Sequence, residues 1–184
     1  HTLESISSLK RYQIVFSHSK ARLDILSAMM SSVAFFGYIT AISFVYLKVF
    51  NVSEFTFSLL FGVNVFALMT SHFINSKCVV KKGSRRMLRY GVAVGVMASS
   101  SLVIVNLLDL GVFYHVIAIF PLMGSLSMIS VNSDALILQE FTEQPGTASA
   151  VIGTLRFGIG GLGGPILAVF FDGSATPFVM FMWL

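Results

Sequence analysis

A chain of 184 residues that is 55% hydrophobic and only 11% charged falls far below the roughly 25% charge usual in soluble domains. Its mean hydropathy of +0.85 points to an integral membrane protein rather than a globular domain around a large core. The net charge of +4 is concentrated: six bases and no acid lie between Lys77 and Arg89, between apolar stretches, which makes them a topology signal and not a nucleic-acid patch.

In chain order, the first segment is polar and carries Lys10, Arg11, Lys20 and Arg22. Residues 1–24 are expected to be cytoplasmic. The chain starts at His1 and stops at Leu184 inside an apolar run, so both ends are expected to be cut from something longer. A bilayer core takes about 20 apolar residues in a helix. Five runs meet that length: 25–47, 55–76, 90–108, 110–133 and 146–171. A sixth, 177–184, is too short and is expected to start another helix. Lys48 to Glu54 and the neighbourhood of Asp109 are expected to be tight hairpins. Continuous apolar runs, without alternation, exclude a transmembrane β-barrel. Lys and Arg counts place the 77–89 loop and the leading segment in the cytoplasm, two spans apart and therefore consistent. The 134–144 connection then falls on the same side; its acids Asp134, Glu140 and Glu143 weigh little in that rule. Cys78, the only cysteine, excludes an internal disulfide and receives no role.

The fifth run holds the most informative residue. Arg156 is embedded in a glycine-rich apolar stretch, where a charge at a helix centre costs roughly 2.5–3.5 kcal/mol on insertion scales. It lies about 15 Å into the span at about 1.5 Å per residue. Either it faces a cavity, holding an anionic group or pairing with an acid from a half of the protein absent from this chain, or it makes a structural ion pair or bonds backbone carbonyls. Gly146, Ala150, Thr154 and Gly158 recur every four residues, and Gly160 and Gly164 form a GxxxG; both patterns suit close helix packing. At 100° per residue, Arg156 points about 200° away from Thr154, so charge and stripe occupy different faces. The glycines at 163 and 164 with Pro165 are expected to kink the helix.

Other polar groups lie within apolar runs. Asp134, beside Asn132 and Ser133, is a candidate proton-coupling group, since burial raises a carboxyl pKa, or else a helix-end residue at the interface. Tyr38, Asn64 and Asn132 are substrate-path candidates, with interhelical hydrogen bonding as the alternative; Thr40 and Ser43 fit the latter. His72 and His115 lie near span ends and are not spaced as a metal pair. No catalytic triad, zinc motif or phosphate loop is present: no strand precedes the Gly158–Gly164 cluster and no Lys-Ser/Thr follows it. No enzyme activity, metal or cofactor is expected.

Two segments carry a resemblance. INSKCVVKKGSRRMLRYG, residues 74–91, is similar to the basic loop after the second helix of each half of major facilitator superfamily transporters. Lys81, Lys82, Gly83, Arg85 and Arg86 match its basic-Gly-basic pattern, while Val80 stands at the usual Asp position. ALILQEFTEQPGTASAVIGTLRFG, residues 135–158, resembles the start of the eleventh helix in the Bcr/CflA drug-efflux branch. Gly146, Thr147, Ala148, Ser149, Ala150, Gly153, Phe157 and Gly158 match, but Arg156 stands where that branch commonly has Gln. FSLLFGVN, residues 57–64, is similar to the eighth helix. The resemblance implies an all-α membrane protein, the C-terminal six-helix half of a twelve-helix fold with its last helix truncated. It implies proton-coupled efflux of small drug-like compounds across the inner membrane, with the bilayer, a missing N-terminal half, a small amphipathic substrate and the proton gradient as partners. It also implies that residues 1–24 are the end of a central loop and that the 81–86 loop is a cytoplasmic gate. The alternative is an inactive remnant or a membrane interaction partner of a separate half.

Overall fold

The computed structural model describes residues 21–142 and 145–184, which are helical throughout apart from short connections. Lys10, Arg11, Lys20, Glu143 and Gln144, and most of the 1–24 segment, lie outside the described residues. Among the described residues seven α-helices follow one another: α1 Arg22–Phe44, α2 Glu54–Lys82, α3 Ser84–Leu107, α4 Val112–Glu140, α5 Pro145–Gly160, α6 Gly163–Val169 and α7 Thr176–Trp183. Among the described residues, five helical stretches are long and apolar enough to cross a membrane, with α5 and α6 counted as one and α1 extended to Val49.

Each junction has a local cause. α1 runs on into a π-helical turn, Val45–Val49. Phe50 N–H there donates to Val45 O at 3.0 Å, and Asn51 adopts a positive φ of 51°. Ser53 then caps α2, its Oγ accepting from Thr56 N–H at 3.2 Å. Asp109 turns the α3–α4 connection with a φ of 51°. α5 and α6 are separated by Gly161 and Leu162 alone, with Pro165 in the first turn of α6, where its missing N–H costs nothing. The expected kink in the fifth run is therefore a two-residue break.

The basic 77–89 segment is not a loop. Lys77, Lys81 and Lys82 belong to α2 and Arg85, Arg86 and Arg89 to α3, with Gly83 alone between the helices at a φ of 78°. The apolar runs underestimated these helices because backbone hydrogen bonding continues past the last apolar residue, while long basic side chains extend into water. For the same reason α4 continues to Glu140. Asp134 thus lies within a helix and not at its end.

α4 is the central element and packs against α1, α2 and α3, while α5 and α6 lie on α1, and α7 on α3 and α1. Small residues set these approaches. A Cβ on Gly91 would stand 3.1 Å from Ile129 Cγ1, and one on Gly95 would stand 3.0 Å from Ser125 Oγ. Gly124 lies against Ser71, whose hydroxyl donates to Gly124 O at 2.6 Å. One core gathers Tyr38, Ile42, Leu102, Ile119 and Met123. A second, around Ile25, Ala28, Ile137, Val151 and Ile152, joins α1, α4 and α5.

The fifth run splits its small residues between two faces. Gly160 packs against Phe36, Gly163 against the backbone at Val33 and Gly37, and Gly164 against Thr40. Gly146, Ala150, Thr154 and Gly158 are exposed, and a Cβ on Gly146 or Gly158 would meet nothing within 4 Å. The expected four-residue stripe therefore does not hold α5 to this chain. The buried face of α5 is instead Ala148, Val151 and Ile152, bulkier side chains that fill the second core.

Candidate functional site

Four helices converge on a cavity of about 280 Å³, close to the lower end of small-molecule sites. α1 gives Ser31, Ser32, Phe35 and Phe36; α4 gives Ser127, Ser130 and Val131; α2 gives His72; α5 gives Arg156 and Phe157. The helical repeat explains the grouping. Ser31, Ser32, Phe35 and Phe36 fall on one face of α1, as do Ser127, Ser130 and Val131 on α4.

Arg156 is the charged member. Its Nη2 donates to Asp134 Oδ1 at 2.6 Å. The side chains are 24% and 32% exposed. The contact is single-pronged, and Arg156 Nε is buried without a protein partner among the described residues. Ser127 Oγ is likewise buried and unpartnered, whereas Ser31 and Ser32 bond Ala28 O on their own helix. Phe36 and Phe157 meet edge to face with centroids 5.9 Å apart. The arrangement is thus an aromatic and apolar wall, a ring of hydroxyls and one guanidinium with unused donor capacity. Such a wall accepts an apolar body, and the free donors suit a carbonyl or carboxylate.

The remaining expected residues are elsewhere. Tyr38 and Asn64 do not line this cavity. Asn64 Nδ2 donates to Tyr38 Oη at 2.9 Å and Tyr46 Oη at 3.4 Å, and all three residues are at most 2% exposed. A buried amide finds partners in two tyrosines of the neighbouring helix, which closes it off from solvent. Asn132 Nδ2 donates to Asn75 Oδ1 at 2.7 Å and so ties α4 to α2. His115 is buried against Phe50, ring centroids 4.7 Å apart, and Nδ1 lies 3.3 Å from Gly111 O. No group of three or more metal-ligating side chains occurs among the described residues.

In the basic segment, Arg85 forms a two-pronged pair with Asp24: Nη1 to Oδ1 at 2.5 Å and Nη2 to Oδ2 at 2.9 Å. Asp24 is 1% exposed and Arg85 46%. Sequence reasoning left Asp24 in the central loop; its third place in α1 carried no signal, because the partner is 61 residues away. Ser31, Ser32, Ser127 and Ser130 were missed as well, since isolated serines in apolar helices look alike until the helices are assembled.

Comparison with known proteins places the chain. The family model described as Major Facilitator Superfamily matches residues 2–165. The "Bicyclomycin resistance protein homolog" of Haemophilus influenzae is 31% identical over 156 residues, 85% of this chain and 39% of that protein. The "Uncharacterized MFS-type transporter YdgK" of Bacillus subtilis is 27% identical over 134 residues, 73% of this chain and 33% of that protein. The chain therefore spans well under half the length of either relative. Comparison with solved structures finds no significant match.

Proposed function

Because the chain belongs to the major facilitator superfamily, we propose that it works as the C-terminal half of a proton-driven exporter of small amphipathic compounds. The observation that carries this reading is the cavity of Ser127, Phe36, Phe157 and Arg156, with Asp134 paired behind the guanidinium. The name of the Haemophilus relative, a resistance protein homologue, supports drug-like cargo. Cargo buries its apolar body against the phenylalanines while an oxygen acceptor takes the unused donors of Arg156 and Ser127. A proton on Asp134 removes the charge that holds Arg156 and turns its guanidinium toward the cargo; loss of that proton restores the pair. The two events are therefore linked.

The missing N-terminal half completes the cavity, and the exposed Gly146, Ala150, Thr154 and Gly158 face of α5 is a surface on which it packs. Gly83 and its flanking bases form the gate, braced by Asp24 and Arg85. The basic end of the bundle lies on the cytoplasmic side of the inner membrane.

The test is drug accumulation in pump-deficient cells expressing the two-half transporter that carries this chain. Export that a protonophore reverses, and that Arg156→Gln abolishes, is the expected result. Normal export by Arg156→Gln would make the charge structural. Unchanged accumulation by every form, with membrane insertion confirmed, would leave an inert remnant as the better reading.

A further inference from the structure

The basic end of α2 and α3 has a second property, independent of transport. Arg85 is neutralised by Asp24, but Lys77, Lys81, Lys82, Arg86 and Arg89 are exposed. None of these five has an acidic partner among the described residues. The Gly83 break brings them together: Lys77 and Lys81 are one turn apart on α2, Arg86 and Arg89 nearly one turn apart on α3. Lys82 Nζ lies 5.0 Å from the centroid of Tyr90 and so bridges the two helices. Lys77 Nζ lies 5.7 Å from the centroid of Phe73.

Below this cap, both outer faces turn apolar in the same direction. On α2 Lys77 is followed by Phe73, Met69 and Phe66, each more than 60% exposed. On α3 Arg86 is followed by Tyr90, Val94 and Met97, also exposed. Cationic groups stacked above an apolar face that no described residue covers reproduce in mirror image the layering of an anionic phospholipid.

We propose that the α2–α3 hairpin is a binding site for an anionic phospholipid, its phosphate held by Lys77, Lys81, Arg86 and Arg89 and its acyl chains lying on Phe73 and Met97. Charge complementarity selects the headgroup, because each basic residue near an anionic leaflet strengthens attraction by roughly fivefold. The exposed apolar face selects a lipid over a soluble phosphate.

Cys78 makes the site measurable, since it is the only cysteine of the chain and follows Lys77 directly. The full chain carries a bimane on Cys78 and is reconstituted in phosphatidylcholine bilayers with increasing brominated phosphatidylglycerol or brominated phosphatidylcholine. Phosphatidylglycerol should quench at a surface fraction at least threefold lower. Raising sodium chloride from 50 to 500 mM should erase most of that preference, as screening requires. A Lys77→Gln, Lys81→Gln, Arg86→Gln, Arg89→Gln variant should quench equally with both lipids, while Lys77→Arg, Lys81→Arg should keep the preference. Glycerophosphate at millimolar concentration should not compete. Equal quenching of the unaltered chain, or a preference that ignores salt, overturns the proposal without recourse to any variant. Competition by glycerophosphate overturns the lipid assignment in favour of a soluble phosphate.

Discussion

The Arg156–Asp134 pair permits a quantitative test. The Nη2–Oδ1 distance is 2.6 Å, and the side chains retain 24% and 32% of their exposure. Charge centres about 4 Å apart attract by about 4 kcal/mol at an effective dielectric of about 20. Desolvating both groups offsets much of that, and residual exposure screens the rest. A single-pronged contact also lacks the second hydrogen bond of a fork. We therefore expect a coupling energy of about 1–2 kcal/mol, within the range for residues in direct contact. Asp134→Asn should cost about 2–3 kcal/mol, because the guanidinium stays in the membrane-buried cavity with its Nε already unpaired. Arg156→Gln should cost less, about 1–2 kcal/mol, since Asp134 is the more exposed partner and hydrates more easily. The double variant should be less damaged than the sum. The assay is equilibrium unfolding in mixed micelles with rising dodecyl sulfate, followed by far-ultraviolet circular dichroism over the four-member cycle. Strict additivity, a coupling under about 0.5 kcal/mol, would refute the pair as an energetic unit, and with it the proposed proton linkage.

Glycine positions give opposite expectations in the same assay. Gly163→Ala places a Cβ 2.8 Å from Val33 O and 3.0 Å from Gly37 N; backbone cannot step aside, so the loss should be about 1–3 kcal/mol. Gly153→Ala meets nothing within 4 Å and should be neutral or gain up to about 1 kcal/mol in helix propensity; a loss there as large as at Gly163 would contradict the packing. Asn64→Leu should cost about 1–3 kcal/mol by stripping two buried tyrosine hydroxyls of their common partner. Gly83→Val forces a β-branched residue to a φ of 78° and should cost about 1–3 kcal/mol. Transport by that variant at normal membrane level and normal rate would count against a gate at the 81–86 segment.

What could be read from the sequence follows the physics of the bilayer. Five spans were legible because hydrocarbon demands uninterrupted apolar helix, and the Gly-Gly-Pro signal at 163–165 marked the break in the fifth. Helix ends were not legible: Lys77 to Lys82 continue α2 and Asp134 to Glu140 continue α4, since a charged residue ends hydropathy without ending hydrogen bonding. Arg156 stood out as a charge with no reason to be in lipid, and Asp134 stood out as an acid, but the pairing of the two is tertiary. The four-residue stripe was legible as a small-residue face but its partner was not, for a related reason. Small residues signal that a face can approach another helix closely, not which helix; within this chain Gly91, Gly95 and Gly163 make the close approaches instead.

The two ion pairs share an arrangement that the individual residues do not reveal. Asp24 and Arg85 lie at the first turns of α1 and α3, Asp134 near the last turns of α4, and Arg156 in α5. By alternation of the helices, all four charges belong to the half of the bundle nearer Gly83. At the opposite end the described contacts are of another kind: Phe50 packs against His115 with the rings tilted, Tyr46 meets Phe57 edge to face, and Asn106 donates to Thr176. Apolar and aromatic contacts respond little to salt, whereas exposed or half-exposed ion pairs weaken as the screening length shortens. The two ends of the bundle therefore have different sensitivities. Hydrogen exchange of the chain in micelles should show protection falling with salt at the first turns of α1 and α3, where Arg85 is nearly half exposed, and holding at the α1–α2 and α3–α4 turns. Equal loss at both ends would mean that the charged clamps carry no more of the local stability than the aromatic ones do.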